Sequence, residues 1–522
     1  MNLRRRDLLR SAPFAVPALK SRIAQASAPT DSIAGMNVIL FLTDQERAIQ
    51  HFPESWEERN LPGMTRLRQN GLSFDHAFCN SCMCSPSRAT LFTGYYPAQH
   101  GVTDTLSFGT RFSADERVLP HDLPNMATVF EAAGYDVAYK GKWHLSKPLR
   151  DPDDPEDWTP ADIATYGFDR WDPPDAGENR DVSQFGGGDA DNDGRIVRSD
   201  GDAEDGQEGV LQYLRSVAPG QQPFFLVISL VNPHDVLAYP RIWQDGGYDS
   251  NAWLDGEIDL PSTVDEDLSS KPAAQWRFNA WLNLGLGPLR DAEEQRNYVN
   301  FYGNLIKAAD AALVEVLDTL EETGLLEDTL IVRTSDHGEM GMAHGGMRQK
   351  SFNVYEESLR VPLVFSNPRL FPEARASDAL VSHVDLLPTL ASLIDAPAAA
   401  RADWPGVDYS TLLHDPSANP GQVQDHIVFT YDDVRCAQNV QQLVPPPNRI
   451  VCIREARYKL ARYYDADVIE PDEWEMYDLE ADPDERVNLA LPGHTPTAEQ
   501  SAARERLTAK LRDVEVTRLR PL

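Results

Sequence analysis

Three stretches of the 522-residue chain are almost continuously apolar: Asn37-Val38-Ile39-Leu40-Phe41-Leu42-Thr43, PFFLVISLV from Pro223 to Val231, and Thr329-Leu330-Ile331-Val332-Arg333-Thr334. A strand with one wet face would alternate, so runs of this kind predict strands buried on both faces. Each run ends in polar residues: Asp44-Gln45, Asn232-Pro233-His234 and Ser335-Asp336-His337-Gly338. Before the third run, FYGNLIKAADAALVEVLDTLEETG has apolar residues at helical spacing and stops at Gly324, which predicts a helix. Strands alternating with helices give an α/β class, a large mainly parallel sheet sandwiched by helices. Ligands bind at the C-terminal edge of such sheets, where all three runs place polar side chains.

From about Ala398 to Asp425 the composition turns to Ala, Pro, Asp and Ser, which marks a boundary. Beyond it, HIVFTYDD, RIVCIREARYKLARYYD and EWEMYDLEADPDE predict short antiparallel strands. TAEQSAARERLTAKLRDV, following Pro496, predicts an amphipathic helix. The expected organisation is an α/β domain over residues 34–420 and a smaller C-terminal α+β subdomain over residues 425–522.

The N-terminus has a different pattern. Arg4-Arg5-Arg6-Asp7-Leu8-Leu9-Arg10 precedes the modestly apolar SAPFAVPAL and the small-residue AQASA, the order of an export signal over residues 1–28. Its paired arginines and leucines resemble a twin-arginine signal, so a periplasmic location is expected. Losing residues 1–28 would take the net charge from −34 to −39. So acidic a surface argues against nucleic acid and long polyanions as partners. No apolar run is long enough for a transmembrane segment.

The five cysteines are Cys79, Cys82, Cys84, Cys436 and Cys452. The first three lack the second Cys/His pair that zinc needs. Cys436 and Cys452 flank a turn-rich connection and are expected to form a disulfide. Asp189-Ala190-Asp191-Asn192-Asp193-Gly194, with Asp200 in the twelfth place, spaces its acids like a calcium loop. The preceding GGG does not support a flanking helix, and a solvated acidic loop is the expectation.

Candidate chemistry gathers elsewhere. CSPSRATLFTG, from Cys84 to Gly94, predicts a short helix with Pro86 at its first position, Cys84 just before it and a glycine stop. Free N–H groups and the helix dipole favour an anion there, and Arg88 adds a planar donor. In GYDVAYKGKWH, Lys142 and His144 would share a face if that stretch is extended, as suits stabilising and protonating a leaving oxygen. Asp44, Gln45, Asp336 and His337 suit a divalent cation. Their oxygens lean towards calcium or magnesium, and the imidazole nitrogen admits manganese.

CSPSRATLFTG and GYDVAYKGKWHL together resemble the two signatures of the type I sulfatases, in the alkaline phosphatase superfamily. The resemblance continues through NVILFLTDQ, PFFLVISLVNPHD, TSDHGEMG, KSFNVYEESLRVPL, VSHVDLLPTL and MYDLEADPDERVNLA. It implies an alkaline-phosphatase-like fold and an enzyme that hydrolyses a small sulfated organic substrate, a sulfate monoester, in the manner of an arylsulfatase. It also implies that a formylglycine-generating enzyme oxidises Cys84 to formylglycine, whose hydrated aldehyde attacks sulfur; four thiols then remain. Arg88 would stabilise that group, and Lys142, His144, His234 and Lys350 would bind sulfate oxygens or shuttle protons. Asp44, Gln45, Asp336, His337 and the modified Cys84 would hold one divalent metal, calcium before manganese.

Two features depart from the commonest pattern. Gln45 and His337 stand where many sulfatases have Asp and Asn, as is similar to choline sulfatases and phosphonate monoester hydrolases. Lys350 lies one residue further from Tyr355 than usual. The alternative function is therefore a phosphonate monoester or phosphodiester hydrolase with the same machinery. A sulfate-transferring enzyme and a non-catalytic calcium-binding protein are the lesser readings. Specificity is expected from loops 172–209 and 254–288, with Trp253, Trp276 and Trp281 as candidates to line a pocket.

Overall fold

The structure is a computed structural model that describes residues 32–48, 51–178, 180–201, 206–218, 220–415 and 418–522. The expected export signal at 1–28 lies outside the described residues. The strands among them are, in chain order, β1 Asn37–Asp44, β2 Gly71–Phe74, β3 Ala77–Phe78, β4 Asp136–Gly141, β5 Phe224–Pro233, β6 Thr329–Ser335, β7 Leu363–Ser366, β8 Arg375–Ser377, β9 Val381–Ser382, β10 His426–Tyr431, β11 Arg449–Glu455, β12 Tyr458–Tyr464 and β13 Glu473–Asp478.

Seven of them form one sheet in the order β4-β5-β1-β6-β7-β2-β8. Only β7 runs against its neighbours; the other pairings are parallel. The continuous apolar runs are explained by their two-sided burial. Val38, Leu40 and Leu42 of β1 enter one hydrophobic core and Ile39 and Phe41 the other. The long helix Ala292–Glu322 covers the second face. It begins nine residues before the predicted start, because Asp291 caps it by accepting from Glu293 N at 2.9 Å and Glu294 N at 3.0 Å.

Strands β10 to β13 form the expected antiparallel sheet. The helix Ala498–Thr517 packs Leu507, Leu511 and Val514 on one face of it. The other face, with Phe429, Tyr431 and Cys452, packs on Phe352 and Leu359 of the main body. Buried Lys459 of β12 ties the two parts together through Glu356 at 2.8 Å and Glu485 at 2.7 Å.

Two expectations are corrected. All five cysteines are free and buried. Cys452 sits mid-strand between β10 and β12, while the Cys436 thiol lies 3.0 Å from the Tyr431 hydroxyl, so the pair is not bonded. The acidic run is neither a calcium loop nor solvated throughout. Asn192–Arg198 is a helix, and the half-buried Asp193 carboxylate accepts from Val231 N at 2.7 Å and Asn232 N at 3.0 Å.

Gly141 ends β4 with φ +109°, and a Cβ there would lie 2.0 Å from the Ser229 carbonyl oxygen. That close approach lets Lys142 N reach the same oxygen at 2.9 Å. Gly141→Ala should destabilise the protein by about 2–4 kcal/mol through overpacking and left-handed strain. Urea unfolding of both forms measures it, and an unchanged midpoint would refute the argument.

Candidate active site

In sheet order, the neighbouring strands β4, β5, β1 and β6 deliver Lys142, His234, Asp44 with Gln45, and Asp336 with His337 just at or beyond their C-terminal ends. The buried helix Cys84–Thr93 lies against this edge. Met83 is its N-cap, so Cys84 is the first helical residue and Pro86 the third, two places later than predicted. Gly94 closes the helix at φ +71°.

Cys84 Sγ lies 3.3 Å from His337 Nε2 and 3.8 Å from Asp44 Oδ1. Ligand atoms of Asp44, Cys84, Asp336 and His337 all fall within 4.8 Å of one another. Burial and Asp44 push the thiol pKa up, but Lys142, Lys350 and His337 draw it well below the usual range. The position therefore favours an anion. His337 Nδ1 donates to the Gly338 carbonyl at 3.1 Å, which in the neutral ring turns the Nε2 lone pair towards Cys84, as metal ligation requires. Asp336 holds the imidazole pKa up to about 9 against burial.

Arg88 corrects the expectation that it faces a bound anion. Its Nε donates to Asp336 Oδ2 at 3.0 Å and one terminal nitrogen to Asp44 Oδ2 at 3.1 Å; the other serves Lys142 O at 3.0 Å and Ser229 Oγ at 2.9 Å. It is fully buried and spans the two carboxylates. Burial raises both carboxyl groups, but the cations separate them. Lys142, His234 and Arg88 hold Asp44 well below the ordinary range, while Asp336, beside Asp44, is pushed up to about 6.

Gln45 adopts φ +70°. Its side-chain oxygen accepts from Lys350 Nζ at 2.6 Å, and its Nε2 donates to Glu339. Lys142 is buried, with Nζ 2.6 Å from Asp44 Oδ2. The stretch carrying it is not extended: β4 has ended and His144 has φ +53°. The Asp175 carboxylate fixes this turn by accepting from Trp143 N and His144 N, both at 2.8 Å. His144 Nε2 donates to the Leu106 carbonyl at 3.1 Å, leaving Nδ1 as a buried lone pair with no partner. Burial and Lys142 hold the His234 pKa well below its ordinary value.

Cys84, His144, His234 and Lys350 line one cavity of about 410 Å³. Asp44, Gln45, Arg88, Lys142, Asp336 and His337 lie behind it, fully buried. Both expected loops contribute to the lining, through Glu178 and Arg180 and through Phe278 and Trp281; residues 436–443 contribute unexpectedly. Trp253 instead packs edge-on to Tyr248 and Phe301, and Trp276 is 49% exposed beside Arg277.

The sequence reading missed Asp175, Glu339 and Ser229. Ser229 carried a signal, a polar residue within an otherwise apolar strand. Glu339 lies inside TSDHGEMG, and Asp175 has no motif.

The sulfatase family model matches residues 36–396. The chain belongs to the sulfatase family. The model for the N-sulphoglucosamine sulphohydrolase C-terminal region matches residues 344–516. This sulfatase is 26% identical over 449 residues to the delta 4,5-hexuronate-2-O-sulfatase of Bacteroides thetaiotaomicron, covering 81% of this chain and 78% of that protein. It is 26% identical over 464 residues to the choline-sulfatase of Rhizobium meliloti, covering 87% and 82%. Among solved structures, a 2-O GAG sulfatase superposes with TM-score 0.68 at 21% identity over 92% of each chain. A phosphonate monoester hydrolase from Silicibacter pomeroyi superposes with TM-score 0.64 at 22% identity, over 92% of this chain and 96% of that one. These structural likenesses establish the fold. The family implies a divalent metal, and the buried cluster of two carboxylates and a correctly oriented imidazole fits one. No helix among the described residues is long and apolar enough to cross a membrane.

Asp235, next to His234, is buried. Its Oδ2 accepts from Gly187 N at 3.0 Å and from the Tyr248 hydroxyl, and burial pushes its pKa up to about 7. A raised carboxyl pKa contributes stability below about pH 4 that is lost as pH rises through about 7. Relative to Asp235→Asn, the wild type should therefore lose a few kcal/mol between those limits. Paired urea titrations across pH test this; a constant difference would refute it.

Proposed function

We propose that this enzyme hydrolyses a sulfate monoester, as arylsulfatases do, with Cys84 converted to formylglycine as the nucleophile. The placement of Cys84 carries the reading: it opens a buried helix, lies within reach of Asp44 and His337, and reaches a cavity shared with His144, His234 and Lys350. Its sulfur stands where the formylglycine oxygen would be. Formylglycine supplies a hydrated aldehyde whose hydroxyl can attack sulfur. A divalent cation held by Asp44, Gln45, Asp336, His337 and the modified Cys84 would supply positive charge; the oxygen-rich set favours calcium over manganese.

The chain's own residues divide the remaining work. Lys350 binds a sulfate oxygen, and Lys142 adds positive charge through its contact with Asp44. His234, kept neutral, offers a hydrogen bond. His144 accepts a proton at its free Nδ1. Arg88 acts through the carboxylates it spans and is a positioning residue. Maturation needs a formylglycine-generating enzyme, and residues 1–28 would direct export to the periplasm. Residues 34–420 would form the catalytic domain and 425–522 its subdomain.

Phosphonate monoester or phosphodiester hydrolysis is the second reading, favoured by Gln45, His337 and the structural neighbours. A phosphonate monoester, a phosphodiester and a sulfate monoester are all monoanions, so Arg88, Lys142 and Lys350 do not separate them by charge, and the sulfatase family match supports the sulfate. An aryl sulfate should therefore exceed the matched aryl phosphonate in kcat/KM by about tenfold or more. Both nitrophenyl esters are assayed on one preparation, and preference for the phosphonate would promote the second reading.

Mass spectrometry of the peptide spanning Met83 to Arg88 should find the aldehyde at position 84. An active preparation holding only the thiol would exclude this nucleophile. Chelation should abolish activity, as should Asp336→Ala in a folded chain. Full activity of metal-stripped enzyme would remove the metal from the proposal.

A further inference from the structure

The geometry points to a substrate whose alcohol is apolar and carries no charge beyond its sulfate, recognised by one face of the helix Ala273–Gly285. This deepens the sulfatase reading and rests on it. Phe278, Trp281, Leu282 and Leu286 recur at helical spacing, so they share a face, and all four line the cavity that Cys84 reaches. Phe278, Leu282 and Leu286 also belong to the core joining the main body to the C-terminal sheet, and Trp281 packs against that core. The wall is therefore fixed by packing and binds an apolar group without first having to be ordered. Leu443, from the segment after β10, and Leu237, one turn past His234, extend it.

Charge narrows the choice. Apart from Lys350 and the histidines beside Cys84, the ionisable side chains of the lining are Glu178, Arg180, Asp181 and the Cys436 thiol. Arg180 donates to the Gly285 carbonyl at 3.2 Å, which ties it to the end of the same helix. Two carboxyl groups against this one cation offer a second sulfate or a uronate no surplus positive charge. A quaternary ammonium is held best by several aromatic faces, whereas this wall sets two rings among aliphatic side chains. A flat apolar group, stacked on Trp281 and Phe278, satisfies both constraints.

The test uses the full chain with formylglycine confirmed at position 84. Naphthyl sulfate, choline sulfate, a glucosamine monosulfate and a glucosamine disulfate are assayed with wild type, Trp281→Ala and Trp281→Phe. Naphthyl sulfate should lead the other esters by about a hundredfold in kcat/KM. Trp281→Ala should raise its KM about tenfold with kcat nearly unchanged, leave the sugar sulfates unaffected, and be rescued by Trp281→Phe. Preference for a sugar or choline ester, or an equal loss on all esters, would overturn the proposal. If only phosphonates are turned over, the sulfatase reading fails by itself. The same comparison on naphthyl and sugar phosphonates then decides the apolar subsite, whose KM effect is still expected. Turnover of neither ester class would remove both.

Discussion

Arg88 between Asp44 and Asp336 is the interaction on which the site depends. The two carboxylates end adjacent strands, both are fully buried, and unaided they would repel each other strongly in a medium that screens poorly. A guanidinium is planar, permanently charged and forked, so one side chain can donate to both. Its remaining donors hold Lys142 O, just past the end of β4, and Ser229 Oγ within β5. One residue from the helix that opens with Cys84 thus ties β1, β4, β5 and β6 to the nucleophile's position. The environments of the two acids then diverge. Asp44 gathers Lys142 as well as Arg88, whereas Asp336 Oδ1 accepts two backbone N–H groups, from Gln45 and His337, at 3.0 and 2.9 Å.

The sheet supplies order, and local backbone supplies aim. A strand that simply continued would send alternate side chains to opposite faces. Here the chain leaves β1 through Gln45 at φ +70° and leaves β4 through Gly141 and His144, also at positive φ. Such conformations are costly for residues with a Cβ and persist where surrounding groups fix them. The Tyr302 hydroxyl on the Gln45 carbonyl at 2.8 Å is one such group, and the Asp175 carboxylate under His144 is another. The Glu339 carboxylate works at the next remove, orienting the Gln45 amide so that its oxygen meets Lys350.

This division explains what could be read from the sequence. A strand buried on both faces announces itself by composition, so β1, β5 and β6 and the polar residues at their ends were legible, as was the Cys84 helix. Arg88 was legible as a residue of importance but not in its role, because its partners come from strands distant in sequence. Asp175 and Glu339 were not seen as site residues, since a carboxylate that accepts backbone or amide N–H groups leaves no spacing pattern. The acids between Asp189 and Asp200 were expected in a solvated loop, but Asp193 lies in a helix and is consumed by backbone N–H groups of the segment leading to His234. Cys436 and Cys452 are near in sequence, yet the ladder position of one and the turn holding the other leave them unbonded.

Net charge completes the physical picture. A chain at −34 would repel an anionic substrate if its surface charge were felt at the catalytic floor. Interactions between exposed charges in physiological salt fall off over about 8 Å, so distant surface carboxylates are largely screened, while close buried cations are not. Lys350 at the cavity, with Arg88 and Lys142 behind it, therefore offsets the buried carboxylates Asp44 and Asp336 there, although acids outnumber bases in the chain. The same arithmetic penalises a long polyanion, which would have to lie across the acidic exterior while only one of its groups reached those cations. On the proposed reading, a small sulfate ester meets Lys350 and the metal site with its anionic end and the apolar wall of Phe278, Trp281 and Leu282 with its alcohol.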